Sequence, residues 1–152
     1  MVSILLKYFP VLFVFIFHFS HAQVSDPVSW LTKTSRASQG EMILTFSAAL
    51  APGWHLYSQH MKPGGPIPTR FRFNSDDDYL LTGVTQERGE AVTFHDDLYD
   101  LEVTWYADLV IFSQLIKVVG PVSTVTGTVE YMVCNYELCI PNEWAFSVPI
   151  SP

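Results

Sequence analysis

Apolar and polar residues alternate with a period of two along several short stretches, as they do in strands that bury one face and expose the other. Glu41–Ser47 alternates in part, and Thr69–Asn74 strictly. Leu101–Trp105 alternates too, with Leu101, Val103 and Trp105 on one face. Asp108–Val119 and Val122–Val133 are longer runs rich in β-branched residues, separated by the turn signal Gly120-Pro121. Glu143–Ile150 reads as a closing strand. Loop chemistry fills Ala51–Gly53, Lys62–Pro68, Asn74–Asp78 and Gln86–Gly89. No helix longer than a turn is predicted. About seven to nine short strands at this spacing predict an all-β fold, a single immunoglobulin-like antiparallel β-sandwich. The Cys-Trp-Cys arrangement that links the two sheets of antibody domains is absent, because the two cysteines, Cys134 and Cys139, are five positions apart.

Residues 1–22 follow a different pattern. Lys7 precedes an almost unbroken apolar run from Tyr8 to Phe19, followed by Ser20, His21 and Ala22. A charged start, an apolar middle and small residues at the end are the marks of a cleavable secretory signal. An apolar run of about twelve falls short of the roughly 20 residues that span a bilayer. The expectation is therefore a signal peptide at 1–22 and one domain at 23–152, periplasmic or otherwise exported. No stable membrane insertion is expected once the signal is removed. A chain of this length suits a single domain with a real core.

The sequence holds 8 basic and 15 acidic residues, a net charge of −7. Without the leader and its Lys7 the balance is 7 minus 15, or −8. Such a surface is a poor partner for nucleic acid or anionic membranes. His55, His60 and His95 fit no zinc spacing, and Asp76–Asp78 lacks the spaced ligands and glycine of a calcium loop, so neither a metal nor a cofactor is predicted. Serines and histidines are too scattered to suggest a hydrolase triad.

Export makes two cysteines more prone to pair than to stay free. If the strands ending at Val133 and beginning near Glu143 are antiparallel neighbours, Asn135–Leu138 is the tip between them and the cysteines face each other at its base. Opposed residues lie roughly 4.5–5.5 Å apart at Cα, within the roughly 4.4–6.8 Å that a disulfide accepts. A six-residue ring contributes on the order of 2 kcal/mol, against about 4.7 for a 100-residue loop. A plain hairpin staple is thus a modest gain, which favours a switchable bridge, while free thiols remain a third reading. No Lys, Arg or His lies near either cysteine in sequence and Glu137 lies between them, so no strongly acidic thiol is predicted.

Tyr131–Pro141, with Cys134, Cys139 and a proline two places after the second cysteine, resembles the redox segment of the N-terminal domain of the thiol:disulfide interchange protein DsbD. Gly53–Tyr57 resembles that family's Gly-aromatic-aromatic-Leu-Tyr strand, with His55 in place of an aromatic residue. The likeness spans roughly residues 30–150. It implies an immunoglobulin-like periplasmic domain that takes electrons from a membrane-embedded partner and passes them to thioredoxin-like proteins. It also implies a cap loop, which Asp96, Asp97, Leu98 and Tyr99 resemble. Leu98 holds the position of the shielding aromatic, so that role passes to Tyr99 or Phe94. Four residues lie between the cysteines where some members have five, and Asn142 stands where many have a second proline. The membrane and thioredoxin-like domains of full-length DsbD have no counterpart in this sequence, so the electron donor is expected to be a separate polypeptide. The resemblance makes Cys139 the partner-facing sulfur. Tyr57, Tyr99 and Tyr136 are candidates for surrounding the disulfide, with ordinary sandwich aromatics as the other reading; Trp144 is assigned to the core. The competing class of function is a non-catalytic immunoglobulin-like binding module with a structural hairpin disulfide.

Overall fold

The structure is a computed structural model that describes residues 26–150. The leader assigned to residues 1–22 lies outside the described residues. Eight strands follow one another: β1 (Val28–Ser38), β2 (Glu41–Leu50), β3 (His55–Tyr57), β4 (Arg70–Phe73), β5 (Tyr79–Asp96), β6 (Leu101–Val118), β7 (Thr124–Cys134) and β8 (Cys139–Pro149). All pairings are antiparallel. No helix among the described residues is long and apolar enough to cross a membrane.

Two long strands organise the immunoglobulin-like sandwich. β6 pairs with β5 along one edge, and its other edge is shared between β2 at Leu109–Lys117 and β3 at Trp105–Ala107. β7 pairs with β8 along one edge, and its other edge is shared between β4 at Gly127–Glu130 and β3 at Val133–Cys134. The three-residue strand β3 therefore joins the two sheets. At the point where β6 changes partner, Asp108 adopts a left-handed φ of 58°. The register of β5 against β6 also shifts there, between Gly89 and Ala91. Gly89 is needed at that bulge, because a Cβ would lie 2.9 Å from Tyr106 and 3.1 Å from the Leu109 carbonyl.

The core forms from the alternating inward residues Met42, Leu44, Phe46 and Ala48 of β2, Val110, Phe112 and Ile116 of β6, and Val125, Val129, Tyr131 and Val133 of β7. Trp30 of β1 stacks on Trp144 of β8, with ring centroids 5.2 Å apart and planes within 6°, and so closes the sandwich at its open edge. Gln114 is buried in this apolar setting with its amide satisfied. Its Nε2 donates to the carbonyls of Thr82 and Leu115, and Thr85 Oγ1 donates to its Oε1.

Two sequence expectations are corrected and one strand is new. Gln86–Gly89 is part of β5, not a loop. β5 pairs with β6 alone and is exposed over most of its length, so no apolar alternation marks it. β1 was not foreseen for the same reason, being an edge strand with one partner and an exposed second half. β8 begins at Cys139 instead of Glu143. It too is an edge strand, where Pro141 leaves no ladder hydrogen bond unmade.

Candidate functional site

The β7–β8 hairpin carries both cysteines. Asn135 shapes its tip: its Oδ1 accepts from the backbone N–H of Glu137 at 2.9 Å and of Leu138 at 2.8 Å, while its own N–H donates to the Leu138 carbonyl. This Asx turn makes Asn135 and Leu138 the last hydrogen-bonded pair, so the next pair down, Cys134 and Cys139, is of the closer non-hydrogen-bonded kind. Their Cα atoms are 4.1 Å apart and the sulfurs are bonded to each other.

The two cysteines differ sharply in environment: Cys139 is exposed, whereas Cys134 is 1% exposed. Strand alternation puts Cys134 and Met132 on the face of β7 opposite to Tyr131 and Val133, away from the main core. Cys134 is nevertheless dry, because it packs with Tyr57 and Val103 in a second small cluster that Met61, Leu101, Trp105 and Met132 complete. Leu101, Val103 and Trp105 come from the strictly alternating face of β6 that the sequence marked.

Met61 reaches this cluster from the loop between β3 and β4. The loop is pinned at both ends: Ser58 N–H donates to the Thr104 carbonyl, and Thr69 Oγ1 donates to the Tyr57 carbonyl at 2.6 Å. The backbone N–H of Thr104 points at Met61 Sδ, 3.4 Å away. Glu87 of β5 adds a further clamp, accepting hydrogen bonds from the Ser58 hydroxyl, the Gln59 N–H and the Tyr106 hydroxyl. Burial, followed by the bond and charge of Glu87, pushes the Tyr106 phenol well above its ordinary range.

Beside the cysteines lies a groove of about 490 Å³ lined by Trp54, His55, Tyr57, Phe94, Trp105 and Tyr136, with Asp96 at its edge. His55 lies directly opposite Cys134 in the register of β3 and β7. Its ring packs on Trp105 at 4.6 Å and edge-on to Tyr57, with Nε2 3.4 Å from the Tyr57 hydroxyl. Burial lowers the pKa of His55. Burial also raises that of Tyr57, with Tyr99 and Asp96 adding to the shift.

The β5–β6 tip holds the candidate cap residues. Asp96 Oδ1 accepts from the N–H groups of Leu98 at 2.9 Å and Tyr99 at 3.3 Å, forming another Asx turn, and Asp100 takes a left-handed φ of 51°. His95 Nε2 lies 3.3 Å from Asp100 Oδ1. Phe94 pairs in register with Val103 and Asp96 with Leu101, which sets both on the disulfide face. Leu98 is 83% exposed, Asp97 is exposed, and Tyr136 is fully exposed at the facing tip. The structure thus brings Tyr57, Phe94, Asp96 and Tyr136 around one groove, with Tyr99 close enough to act on Tyr57 and with Asp97 and Leu98 turned to solvent. Met61, Trp105 and the direct pairing of His55 with Cys134 were missed. The face of Trp105 was legible in its alternation, but nothing in the sequence assigns β3 to the end of β7.

A sequence profile described as "Thiol:disulfide interchange protein DsbD, N-terminal" matches residues 27–149. The chain belongs to the DsbD N-terminal family. The fold agrees with those of two solved domains. The N-terminal periplasmic domain of ScsB from Proteus mirabilis superposes with a TM-score of 0.58 at 17% identity, covering 82% of this chain and 52% of that one. The DsbD N-terminal domain of Neisseria meningitidis in its reduced form superposes with a TM-score of 0.52 at 13% identity, covering 81% and 86%. The chain therefore spans about half of the ScsB domain. No curated protein matches the chain by sequence. Cys134 and Cys139, bonded to each other, both lie within the matched residues 27–149.

Proposed function

We propose that this domain is exported and relays reducing equivalents between a separate membrane-embedded electron carrier and thioredoxin-like proteins, with Cys134 and Cys139 cycling between disulfide and dithiol. The observation that carries the reading is the asymmetry of the pair. One sulfur belongs to an exposed residue at a hairpin tip and the other to a residue buried among apolar side chains. Exchange needs a partner sulfur to approach one cysteine in line with the bond, and this arrangement offers Cys139.

In the electron-donating direction, the Cys139 thiolate attacks the partner disulfide, forming a mixed disulfide and releasing one partner thiolate. The Cys134 thiolate then attacks Cys139 Sγ, re-forming the internal bond and expelling the second partner thiolate. Two electrons leave the cysteine pair, and the partner ends as a dithiol. The membrane carrier's dithiol reloads the domain by the reverse steps at the same sulfur. The β5–β6 tip, with Asp96, Asp97, Leu98, Tyr99 and Phe94, acts as a cap over the groove. Tyr57 seals the buried sulfur, and Tyr136 belongs to the docking rim.

Trapping with single-cysteine variants tests the assignment. Cys134→Ser is expected to accumulate a mixed disulfide with a thioredoxin-like protein through Cys139, and Cys139→Ser is not. Accumulation only in Cys139→Ser would contradict it.

A further inference from the structure

In the resolving step Cys134 must lose its proton at a site that bulk water does not reach. The residue is 1% exposed, and the hydrophobic cluster it belongs to also holds Tyr57, Val103, Met61, Leu101, Trp105 and Met132. Only Tyr57 among these ionises, and its environment favours the protonated phenol. Directly across the ladder from Cys134 stands His55. Opposed residues of an antiparallel pair share a face, with Cβ atoms about 4.5–5.5 Å apart. The imidazole also lines the groove, so it touches both the buried side and the open side of the site.

We infer that His55 is the proton acceptor for Cys134 when the mixed disulfide is resolved, a role that rests on the exchange reading above. The Cys134 thiol passes its proton to the neutral imidazole. The thiolate then attacks Cys139 Sγ, the Cys134–Cys139 bond forms, and the bond from Cys139 to the partner sulfur breaks. The departing partner thiolate takes up a proton from the imidazolium, directly or through groove water, which restores neutral His55. Burial lowers the pKa of His55 and so keeps the ring unprotonated and able to accept near neutral pH. Its Nε2 is the nitrogen nearer the Tyr57 hydroxyl, which provides a partner that orients the ring. The titratable groups around it are Tyr57 on its own strand, Asp96 and Tyr99 from the β5–β6 tip, Tyr136 from the β7–β8 tip, and Cys134 on β7. β6 presents Trp105 and Ala107, which do not ionise. Asp96 is the rival base. Its Oδ1 is occupied by two backbone N–H groups of the tip, and it pairs with Leu101 instead of a cysteine.

The reduced protein, mixed with the aryl disulfide dithiobis(nitrobenzoate), provides a direct readout because each thiolate released is coloured. The first release reports attack by Cys139, and Cys134→Ser stops there. The second, first-order release reports attack by Cys134 on the mixed disulfide. In the unaltered protein the second rate is expected to rise with pH through a midpoint below 6.5 and level off near neutrality. In His55→Phe, and equally in the polar variant His55→Gln, it is expected to fall on the order of 10²-fold at neutral pH. Its midpoint is expected to move toward the thiol range, about 8.5, with the first release unchanged. A second release that keeps its rate and pH profile in both variants overturns the inference, as does loss of the profile in Asp96→Asn but not in His55→Gln. If the unaltered protein gives no second release, the cysteine pair does not cycle, and the exchange reading itself fails.

Discussion

His55 and Leu56 are neighbours on a three-residue strand that joins both sheets, and their side chains serve opposite faces. Leu56 is fully buried in the main core, while His55 and Tyr57 face the disulfide. Placing an imidazole there has a cost that depends on pH. Burial lowers the folded-state pKa of His55 below its ordinary 6.5, so between the folded value and 6.5 the unfolded chain binds more protons than the folded one. Stability contributed by neutral His55 is therefore present above about 6.5 and is lost as pH falls through that window. Chemical denaturation from pH 7.5 to 5 is expected to show a steeper loss in the unaltered protein than in His55→Phe. Equal slopes would mean that the ring is solvated in the folded state.

At the level of elements, the site is built from two hairpin tips that reach the same end of the sandwich, each shaped by one Asx residue, Asp96 or Asn135. If the β5–β6 tip is a cap, then loosening it should open the disulfide to small thiols. Asp96→Ala, which removes the Oδ1 acceptor, is expected to speed reduction by dithiothreitol several-fold; Asp96→Asn, which keeps an acceptor oxygen, is expected to change it little. Unaltered kinetics in both would remove the cap role.

Element by element, the sequence was readable wherever a strand buries one face. β2, β4, both halves of β6, β7 and the hairpin holding Cys134 and Cys139 all announced themselves through alternation or β-branched runs. β1, β5 and the start of β8 did not: each has one neighbour and much of its length meets water on both faces, whereas β4, also with one neighbour, keeps Phe71 and Phe73 against the core and so alternates. The cysteine register was legible because hairpin geometry is local. Met61 and His55 reach Cys134 through long-range pairings, and local pattern does not encode which strand β3 meets.

On the scale of the whole molecule, the fold is expected to survive loss of its disulfide. The main core is continuous without the cysteines, and Cys134 belongs to a separate cluster on the outer face. The bond closes a ring of six residues, which contributes about 2 kcal/mol. Reduced protein is therefore expected to keep its far-ultraviolet circular dichroism and to melt cooperatively, roughly 5–10 °C below the oxidised form. Collapse of the spectrum on reduction would mark the bond as structural. A scaffold that survives both states is what a relay requires. The net charge of −7 and the acidic β5–β6 tip further favour partners that are not themselves acidic around the docking rim.

The proposal that Cys134 and Cys139 form a working redox couple, and not a permanent staple, can be checked by an equilibrium redox titration of the intact domain, with the two states counted by alkylation of free thiols. A working couple is expected to have a midpoint near the thioredoxin range, about −270 mV, where exchange with thioredoxin-like proteins runs in either direction. A midpoint well below about −300 mV, the range of bonds that cellular thiols leave intact, would contradict it.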